Sequence, residues 1–195
     1  MSRAIFLDRD GIINQKASEG GYVTRWEDFH VLPGVAEAIH SLKSGGFKII
    51  VVTNQRCIAK GLITVPELES LHAQMLGVLK ESGASIDAIY HCPHEVNDFC
   101  KCRKPQPGML FEAARAHDVD LQASWMIGDS ESDVRAGKNA GCKTARLIAP
   151  RALEESADCP RADIVAATVL DVSRQILQLE KISGSQLTPR IETIV

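Results

Sequence analysis

The chain has 195 residues, enough for one domain with a sizeable buried core. Its formal net charge of −3, with no basic run, excludes a general nucleic-acid binder. Its mean hydropathy of −0.05, with no apolar stretch of membrane-spanning length, excludes an integral membrane protein. The residues after Met1 show no signal-peptide core, so we expect a cytoplasmic protein, and we expect it to be a monomer.

Short apolar runs alternate with stretches of helical character along the chain. The runs predict strands, which lie at residues 4–7, 47–52, 86–92, 125–127, 143–148 and 162–165. Helical spacing or a Pro or Gly boundary predicts the helices, at residues 33–44, 66–81, 108–117, 131–140 and 170–182. This alternation predicts an α/β fold, a Rossmann-like parallel sheet flanked by helices. We expect one domain over residues 1–182 and a C-terminal tail over residues 183–195.

The first predicted strand ends in two aspartates, Asp8 and Asp10, followed by Gly11. An Asp-Gly turn leaving a strand is common and by itself indicates no chemistry. Two carboxylates this close repel each other, however, and Mg²⁺ is a hard cation that prefers carboxylate oxygens. Asp8 can attack phosphorus to form an aspartyl-phosphate, while Asp10 can protonate the leaving alkoxide and later deprotonate water.

Polar residues also follow the next predicted strands, at the same rim of the sheet. Thr53 could hydrogen-bond phosphoryl oxygens, and Lys104 could hold negative charge in the transition state. Asp129 would complete a magnesium shell begun by Asp8 and by Asp10, the latter also through its backbone carbonyl. Asp133 lies one helical turn further on, and whether it contacts that shell is left open. Core architecture does not explain so many polar residues on one rim, so the pattern indicates a functional site.

Several basic residues near this rim favour an anionic substrate, namely Arg9, Arg56, Lys60 and Arg103. Of these, Lys60 is more simply a solvated surface charge. The irregular excursion over residues 15–31 leaves the same rim, and Gly20 and Gly21 allow it to turn sharply. We expect Gly21 and Tyr22 to close over the substrate.

Three of the six cysteines are clustered with a histidine in the loop after the third strand: Cys92, His94, Cys100 and Cys102. Three thiolates and one imidazole form a closed tetrahedral set that suits structural Zn²⁺. The alternative is that these four residues are close in the sequence by chance and form no metal site. A zinc ion here would position Lys104, which follows the last ligand by two residues. The remaining cysteines are interpreted as free thiols, at positions Cys57, Cys142 and Cys159.

The chain resembles the haloacid dehalogenase superfamily of phosphohydrolases. The resemblance covers roughly residues 4–180 and rests on four motifs in the expected order: Asp8-Arg-Asp-Gly, Thr53-Asn, Lys104, and Gly128-Asp129 with Asp133. It implies that superfamily's fold with a minimal cap. It also implies the functional residues: Asp8 as nucleophile, Asp10 as general acid and base, Thr53 and Lys104 as phosphoryl stabilisers, and Asp8, Asp10 and Asp129 around Mg²⁺. Ile12 stands where many members have threonine.

A finer similarity is to the small-capped branch with a zinc loop, the heptose 1,7-bisphosphate 7-phosphatases and the histidinol-phosphate phosphatases. It rests on Gly21-Tyr-Val, residues 29–34, Thr53-Asn54-Gln55, residues 58–61 and residues 92–109. The heptose enzymes look closer, which implies a phosphorylated sugar substrate that loses its 7-phosphate. Two features differ from the heptose pattern: Arg56-Cys57 replaces a Ser-Gly pair, and only five residues separate His94 from Cys100.

The substrate expectation also has a physical basis. A bisphosphate needs a second anion site, which Arg103 and Arg56 could supply, with Asn54 and Gln55 as further contacts. Histidinol phosphate carries a cationic amine, and acidic residues of the excursion such as Glu19 keep that alternative open. A non-enzymatic sugar-phosphate-binding protein would be expected to lack one of the paired aspartates. A phosphoryl transferase is the other rival, but a cap-poor chain leaves the site open to water.

Overall fold

Six parallel strands form the centre of the structure, a computed structural model in which residues 1–148 and 160–185 are described. The strands are β1 (Arg3–Leu7), β2 (Phe47–Asn54), β3 (Ala88–Cys92), β4 (Trp125–Gly128), β5 (Lys143–Leu147) and β6 (Ile164–Ala166). The helices are α1 (Val35–Ser44), α2 (Val65–Glu81), α3 (Gly108–His117), α4 (Glu131–Ala140) and α5 (Val169–Ser185). Short 3-10 turns lie at Trp26–Asp28 and Val96–Asp98.

The strand order is β3-β2-β1-β4-β5-β6, so the chain reverses its direction of travel across the sheet after β3. Ile5 in β1 pairs with Ile49 on one side and with Trp125 on the other. The carboxyl end of β1 therefore lies at the switch point of the sheet, where open α/β proteins bind their ligands.

The central strands are buried on both faces, because successive side chains alternate between two cores. Ile5 and Leu7 lie in a core with residues from α1, α2 and α5. Ala4 and Phe6 lie in the opposite core, against α3 and α4. Each such fully buried large side chain stabilises the fold by roughly 1.5–3 kcal/mol. Two-sided burial explains why β1 is a continuous apolar run.

The predicted fold class is confirmed, with small differences at element boundaries. Strand β2 runs two residues further than predicted, because Thr53 and Asn54 stay in the ladder opposite His91 and Cys92. Helix α5 extends to Ser185, three residues beyond the predicted helix end at residue 182, and the division into a domain and a tail stays a prediction. The rest of the predicted tail and Cys159 lie outside the described residues. Within the described ranges, no helix is long and apolar enough to cross a membrane.

Candidate active site

Asp8 comes directly after β1, and its backbone N–H donates to the carbonyl of Ile127 in β4. Gly11 then turns the chain with a φ of 91°, in the left-handed region that glycine adopts most readily. A Cβ at position 11 would overlap the Asp129 carboxylate, and one at Gly128 would overlap Asp133. Both glycines are thus needed for the acidic residues of two strands to approach each other.

Lys104 lies between two carboxylates beneath this turn. Its Nζ is 2.9 Å from Asp8 Oδ1 and 2.6 Å from Asp133 Oδ1, and it donates to the Val52 carbonyl at 2.9 Å. The side chains of Lys104 and Asp133 are 1 % and 0 % exposed. Burial alone would lower the pKa of Lys104, but Asp133 and Asp8 raise it above its ordinary value. The lysine is therefore a fixed cation.

In the absence of metal, Asp8 is partly protonated near neutral pH. Burial raises its pKa to about 7, an effect that Lys104 opposes and that Asp133 and Asp10 reinforce. Its Oδ1 accepts hydrogen bonds from the Arg9 backbone N–H at 2.7 Å and from Lys104. Among the described residues no donor contacts Oδ2, which leaves that oxygen available to a metal ion or a phosphorus atom.

The carboxylates of Asp8, Asp129 and Asp133 lie within 4.8 Å of one another. Oδ1 of Asp129 is buried without a hydrogen-bond partner among the described residues, and its Oδ2 is 2.5 Å from Lys16 Nζ. Burial raises the pKa of Asp129, with Lys16 opposing the shift. Closely spaced carboxylates with an unsatisfied buried oxygen fit a divalent cation with oxygen ligands, such as Mg²⁺.

The Asp10 carboxylate is not part of that cluster and is held by hydrogen-bond donors instead. Oδ1 and Oδ2 accept from Arg9 Nη2 at 2.9 and 3.0 Å, Oδ1 also from Asn14 Nδ2 at 2.9 Å, and Oδ2 from Gln55 Nε2 at 3.1 Å. With a further contact from Arg9 Nε to Oδ1 at 3.2 Å, five donor contacts fix the orientation of the carboxylate. Ligation of the metal by Asp10 through its backbone carbonyl stays a prediction.

That Arg9 adds charge for the substrate stays a prediction. Its side chain is 1 % exposed, because the guanidinium turns inward to Asp10 and to the Val23 carbonyl at 3.3 Å. The guanidinium also lies over the Phe29 ring, 5.8 Å from its centroid. Arg9 holds Asp10 and the excursion after β1 together.

The end of β2 supplies two more groups at this rim. Thr53 Oγ1 accepts from Gln55 Nε2 at 2.8 Å, so Gln55 bridges Thr53 and Asp10. The Asn54 amide accepts from the Lys104 backbone N–H at 3.0 Å and donates to its carbonyl at 3.1 Å. Asn54 thus fixes the backbone of the buried lysine, and its contact with substrate stays a prediction.

A cavity of about 360 Å³ opens above these groups. The predicted catalytic and substrate-binding residues that line it are Asp8, Arg9, Asp10, Gly21, Tyr22, Thr53, Asn54, Gln55 and Lys104. Arg56 and Arg103 are not among its lining residues within the described chain. Arg56 Nε is paired with Glu95 at 2.5 Å, and Arg103 Nη1 donates to the His94 carbonyl at 3.3 Å. Both arginines therefore contact the loop over residues 92–102, which carries the predicted zinc ligands, and do not line the cavity.

The four predicted zinc ligands come together at the end of β3. The measured separations among the Sγ atoms and His94 Nδ1 lie between 3.2 and 3.6 Å. Ligands about 2.3 Å from a tetrahedral zinc would lie about 3.8 Å apart, so little adjustment is needed. Burial raises the pKa of the Cys92 thiol, so a cation is required to hold it as a thiolate. Cys57 and Cys142 are free, as predicted.

Sequence reasoning missed three residues near the site. Lys16 contacts Asp129, Asn14 contacts Asp10, and His72 contacts Arg9. Asn14 follows Asp10 by one helical turn's spacing, which is a weak signal. His72 lies within the apolar stripe of α2, between Leu71 and Met75, and gave no signal of a polar contact.

A family model described as HAD-hydrolase-like, for haloacid dehalogenase, matches residues 101–172. A solved D,D-heptose 1,7-bisphosphate phosphatase from B. bronchiseptica, complexed with magnesium and phosphate, is 35 % identical with a TM-score of 0.83. The match covers 91 % of this chain and 99 % of that one. The fold and the site therefore define a haloacid dehalogenase-type phosphatase.

Sequence relatives narrow the class of phosphatase to which the chain belongs. A D-glycero-β-D-manno-heptose-1,7-bisphosphate 7-phosphatase from Helicobacter pylori J99 is 41 % identical over 154 residues, 78 % of this chain and 87 % of the relative. A D-glycero-α-D-manno-heptose-1,7-bisphosphate 7-phosphatase from Burkholderia mallei is 38 % identical over 183 residues, 90 % and 92 % of the two chains. The chain belongs to the family of the D-glycero-D-manno-heptose 1,7-bisphosphate 7-phosphatases.

Proposed function

We propose that this protein hydrolyses the 7-phosphate of D-glycero-D-manno-heptose 1,7-bisphosphate and leaves the 1-phosphate in place. The observation that carries the proposal is the buried Asp8–Lys104 pair at the base of the cavity, with the Asp10 carboxylate beside it. This arrangement combines a nucleophile, a fixed cation and a proton donor. The family to which the chain belongs supplies the substrate class.

In the first step, Oδ2 of Asp8 attacks phosphorus while the bond from phosphorus to the sugar oxygen breaks. Asp10 gives its proton to that oxygen, so the sugar leaves as an alcohol. Lys104 and the hydroxyl of Thr53 stabilise the charge on the phosphoryl oxygens. Mg²⁺ held by Asp8 and Asp129, near Asp133, would neutralise further negative charge.

In the second step, a water molecule attacks the phosphorus of the aspartyl-phosphate. Asp10, now a carboxylate, takes a proton from that water, and the bond between phosphorus and Asp8 breaks. Inorganic phosphate leaves, and both aspartates return to their initial states. The five donor contacts on Asp10 keep its oxygens in one place through both proton transfers.

The second phosphate of the substrate needs its own anion site, for which we propose Arg103 together with Arg56. The Arg103 guanidinium is tied to the His94 carbonyl by one hydrogen bond, so its other N–H groups remain to bind phosphate. Tyr22 and Gly21 border the cavity on the opposite side and would contact the sugar. We also propose a cytoplasmic location, because the thiols of the proposed zinc site stay reduced in that compartment. We propose that the protein is a monomer.

Competition kinetics on the purified protein test the substrate. Heptose 1,7-bisphosphate should give a higher kcat/KM than histidinol phosphate, and the product should retain its 1-phosphate by phosphorus NMR. Arg103→Ala should raise KM for the bisphosphate by roughly tenfold, since it removes a charge-assisted contact. Arg115→Ala, an exposed arginine on α3, is the matched control and should change KM less than twofold.

A higher kcat/KM for histidinol phosphate would contradict the heptose assignment. An unchanged KM in Arg103→Ala would leave that assignment standing and remove only the second anion site. Glu19 lines the cavity and is the acidic group that would favour a cationic substrate amine.

The proposed zinc site gives a separate prediction. Protein purified under reducing conditions should contain about one zinc equivalent, and Cys100→Ser should lose most of it because one of four ligands is removed. The variant should also have lower thermal stability and lower kcat, since the loop ends two residues before Lys104. Cys142→Ala, outside the cluster, should retain its zinc. Elemental analysis that finds no zinc in the parent protein would rule out the proposal.

A further inference from the structure

The proposed reaction assigns no step to Arg9, whose buried guanidinium contacts other groups of the protein. Its Nε and Nη2 contact Asp10, and its Nη2 also contacts the Val23 carbonyl. Nη1 points the other way, toward helix α2. A buried guanidinium carries five N–H donors and cannot lose its charge, so each donor left unpaired is costly.

His72 provides the acceptor for Nη1. Its Nε2 lies 3.3 Å from Nη1 of Arg9, and only 6 % of the residue is exposed. No other acceptor for Nη1 is found among the described residues. An arginine can only donate, so Nε2 must carry the lone pair and the proton must lie on Nδ1. Burial first, and then the charge of Arg9, lowers the pKa of His72 to about 3, which is consistent with a neutral ring.

We propose that His72 is a positioning residue that fixes the Arg9 guanidinium and, through it, the carboxyl group of Asp10. The inference rests on the proposed function, in which Asp10 gives a proton to the leaving sugar oxygen. Without an acceptor at position 72, Nη1 is left unpaired in the interior, and the guanidinium shifts to reduce the cost of the unpaired donor. Both Asp10 oxygens accept from Arg9, so the carboxyl group moves with it. A proton donor displaced by a fraction of an ångström protonates its target less effectively.

The leaving group offers a readout that a general loss of stability would not change. A sugar alkoxide is a poor leaving group and depends on protonation by Asp10, whereas 4-nitrophenolate leaves without it. Misplacement of Asp10 should therefore slow formation of the aspartyl-phosphate, the step that kcat/KM reports, more for the sugar phosphate than for 4-nitrophenyl phosphate, whereas the later attack of water is common to both esters. Damage to Asp8, Lys104 or the metal site would slow both reactions.

The experiment compares kcat/KM for these two esters in three variants of α2. His72→Leu removes the acceptor, and the ratio of kcat/KM for heptose bisphosphate to kcat/KM for 4-nitrophenyl phosphate should fall at least tenfold. His72→Gln keeps a side-chain acceptor and should restore the ratio to within about threefold of the parent value. Met75→Ala, a buried residue on the same helix, should reduce thermal stability without changing the ratio.

An unchanged ratio in His72→Leu, or an equal fall in His72→Gln, would overturn the role of His72. If the parent protein hydrolysed neither ester, the proposed function itself would fail. Nitrogen-15 NMR of the parent protein provides a test that does not depend on whether a variant folds. The Nε2 signal of His72 should be that of an unprotonated nitrogen, and a protonated Nε2 would contradict the proposal.

Discussion

Asp8→Asn should abolish magnesium-dependent phosphate release, with a loss in kcat on the order of 10⁶-fold, as for other covalent enzymes that lose their nucleophile. An amide is a poor nucleophile toward phosphorus and a weaker ligand for Mg²⁺ than a carboxylate. The substitution also removes the ionic partner that Lys104 has at 2.9 Å. Steady-state kinetics with a phosphate-release assay would measure the loss, and near-normal turnover would contradict the aspartyl-phosphate mechanism.

The same substitution should not destabilise the metal-free protein. The folded-state pKa of Asp8 is raised from 3.8 to about 7, so folding disfavours its ionised form. Asp8 therefore lowers stability above pH 3.8, increasingly until the pH passes about 7. At pH 8 in EDTA, Asp8→Asn removes this unfavourable ionisation, and its free energy of unfolding should equal or exceed that of the parent protein.

Loss of activity together with retained stability would separate chemistry from folding. Asp28→Asn is the control, because Asp28 is an exposed aspartate that is paired with Arg25, which is also exposed. It should leave kcat and the free energy of unfolding unchanged. If Asp8→Asn were markedly less stable in EDTA, the description of Asp8 as a partly protonated acid would be wrong.

The order and type of the elements follow from sequence because each depends on a local pattern. A run such as 4–7 is buried on both faces of a parallel sheet, and its four apolar residues show this directly. The carboxyl ends of the strands share one rim, so Asp8, Thr53 and Asp129 could be predicted to lie together. The local pattern could not predict the end of β2. Thr53 and Asn54 remain in the strand ladder because β3 lies beside them.

Charge alone also did not predict which partners the basic residues contact. Arg9 and Lys104 are both buried, Arg56 is paired with Glu95, and Lys16 contacts Asp129. A side chain's direction depends on partners far away in sequence, as with Arg56 and Glu95, 39 residues apart. For the same reason, sequence left the role of Asp133 open, whereas the structure shows it fully buried against Lys104.

Lys104→Met should have the second largest effect, because it leaves two buried carboxylates without their common cation. Loss of one partner from a buried ion pair typically costs about 3–5 kcal/mol, and here the lysine serves both Asp8 and Asp133. We therefore expect the free energy of unfolding in EDTA to fall by roughly that amount. With Lys104 absent, the pKa of Asp8 should rise further, because the largest effect opposing its burial is removed.

The loss of activity should exceed what instability alone explains. At a temperature where Lys104→Met remains folded, kcat should be lower by roughly 10²–10³-fold or more, since a charge that stabilises the transferring phosphoryl group is gone. Lys101→Met makes the same chemical change at an exposed position three residues earlier and should leave both quantities unchanged. Urea unfolding and kcat would be measured on both variants. If the unfolding free energy of Lys104→Met matched that of Lys101→Met, Lys104 would not stabilise Asp8 and Asp133. If only kcat fell, the lysine would act on the phosphoryl group without stabilising the fold.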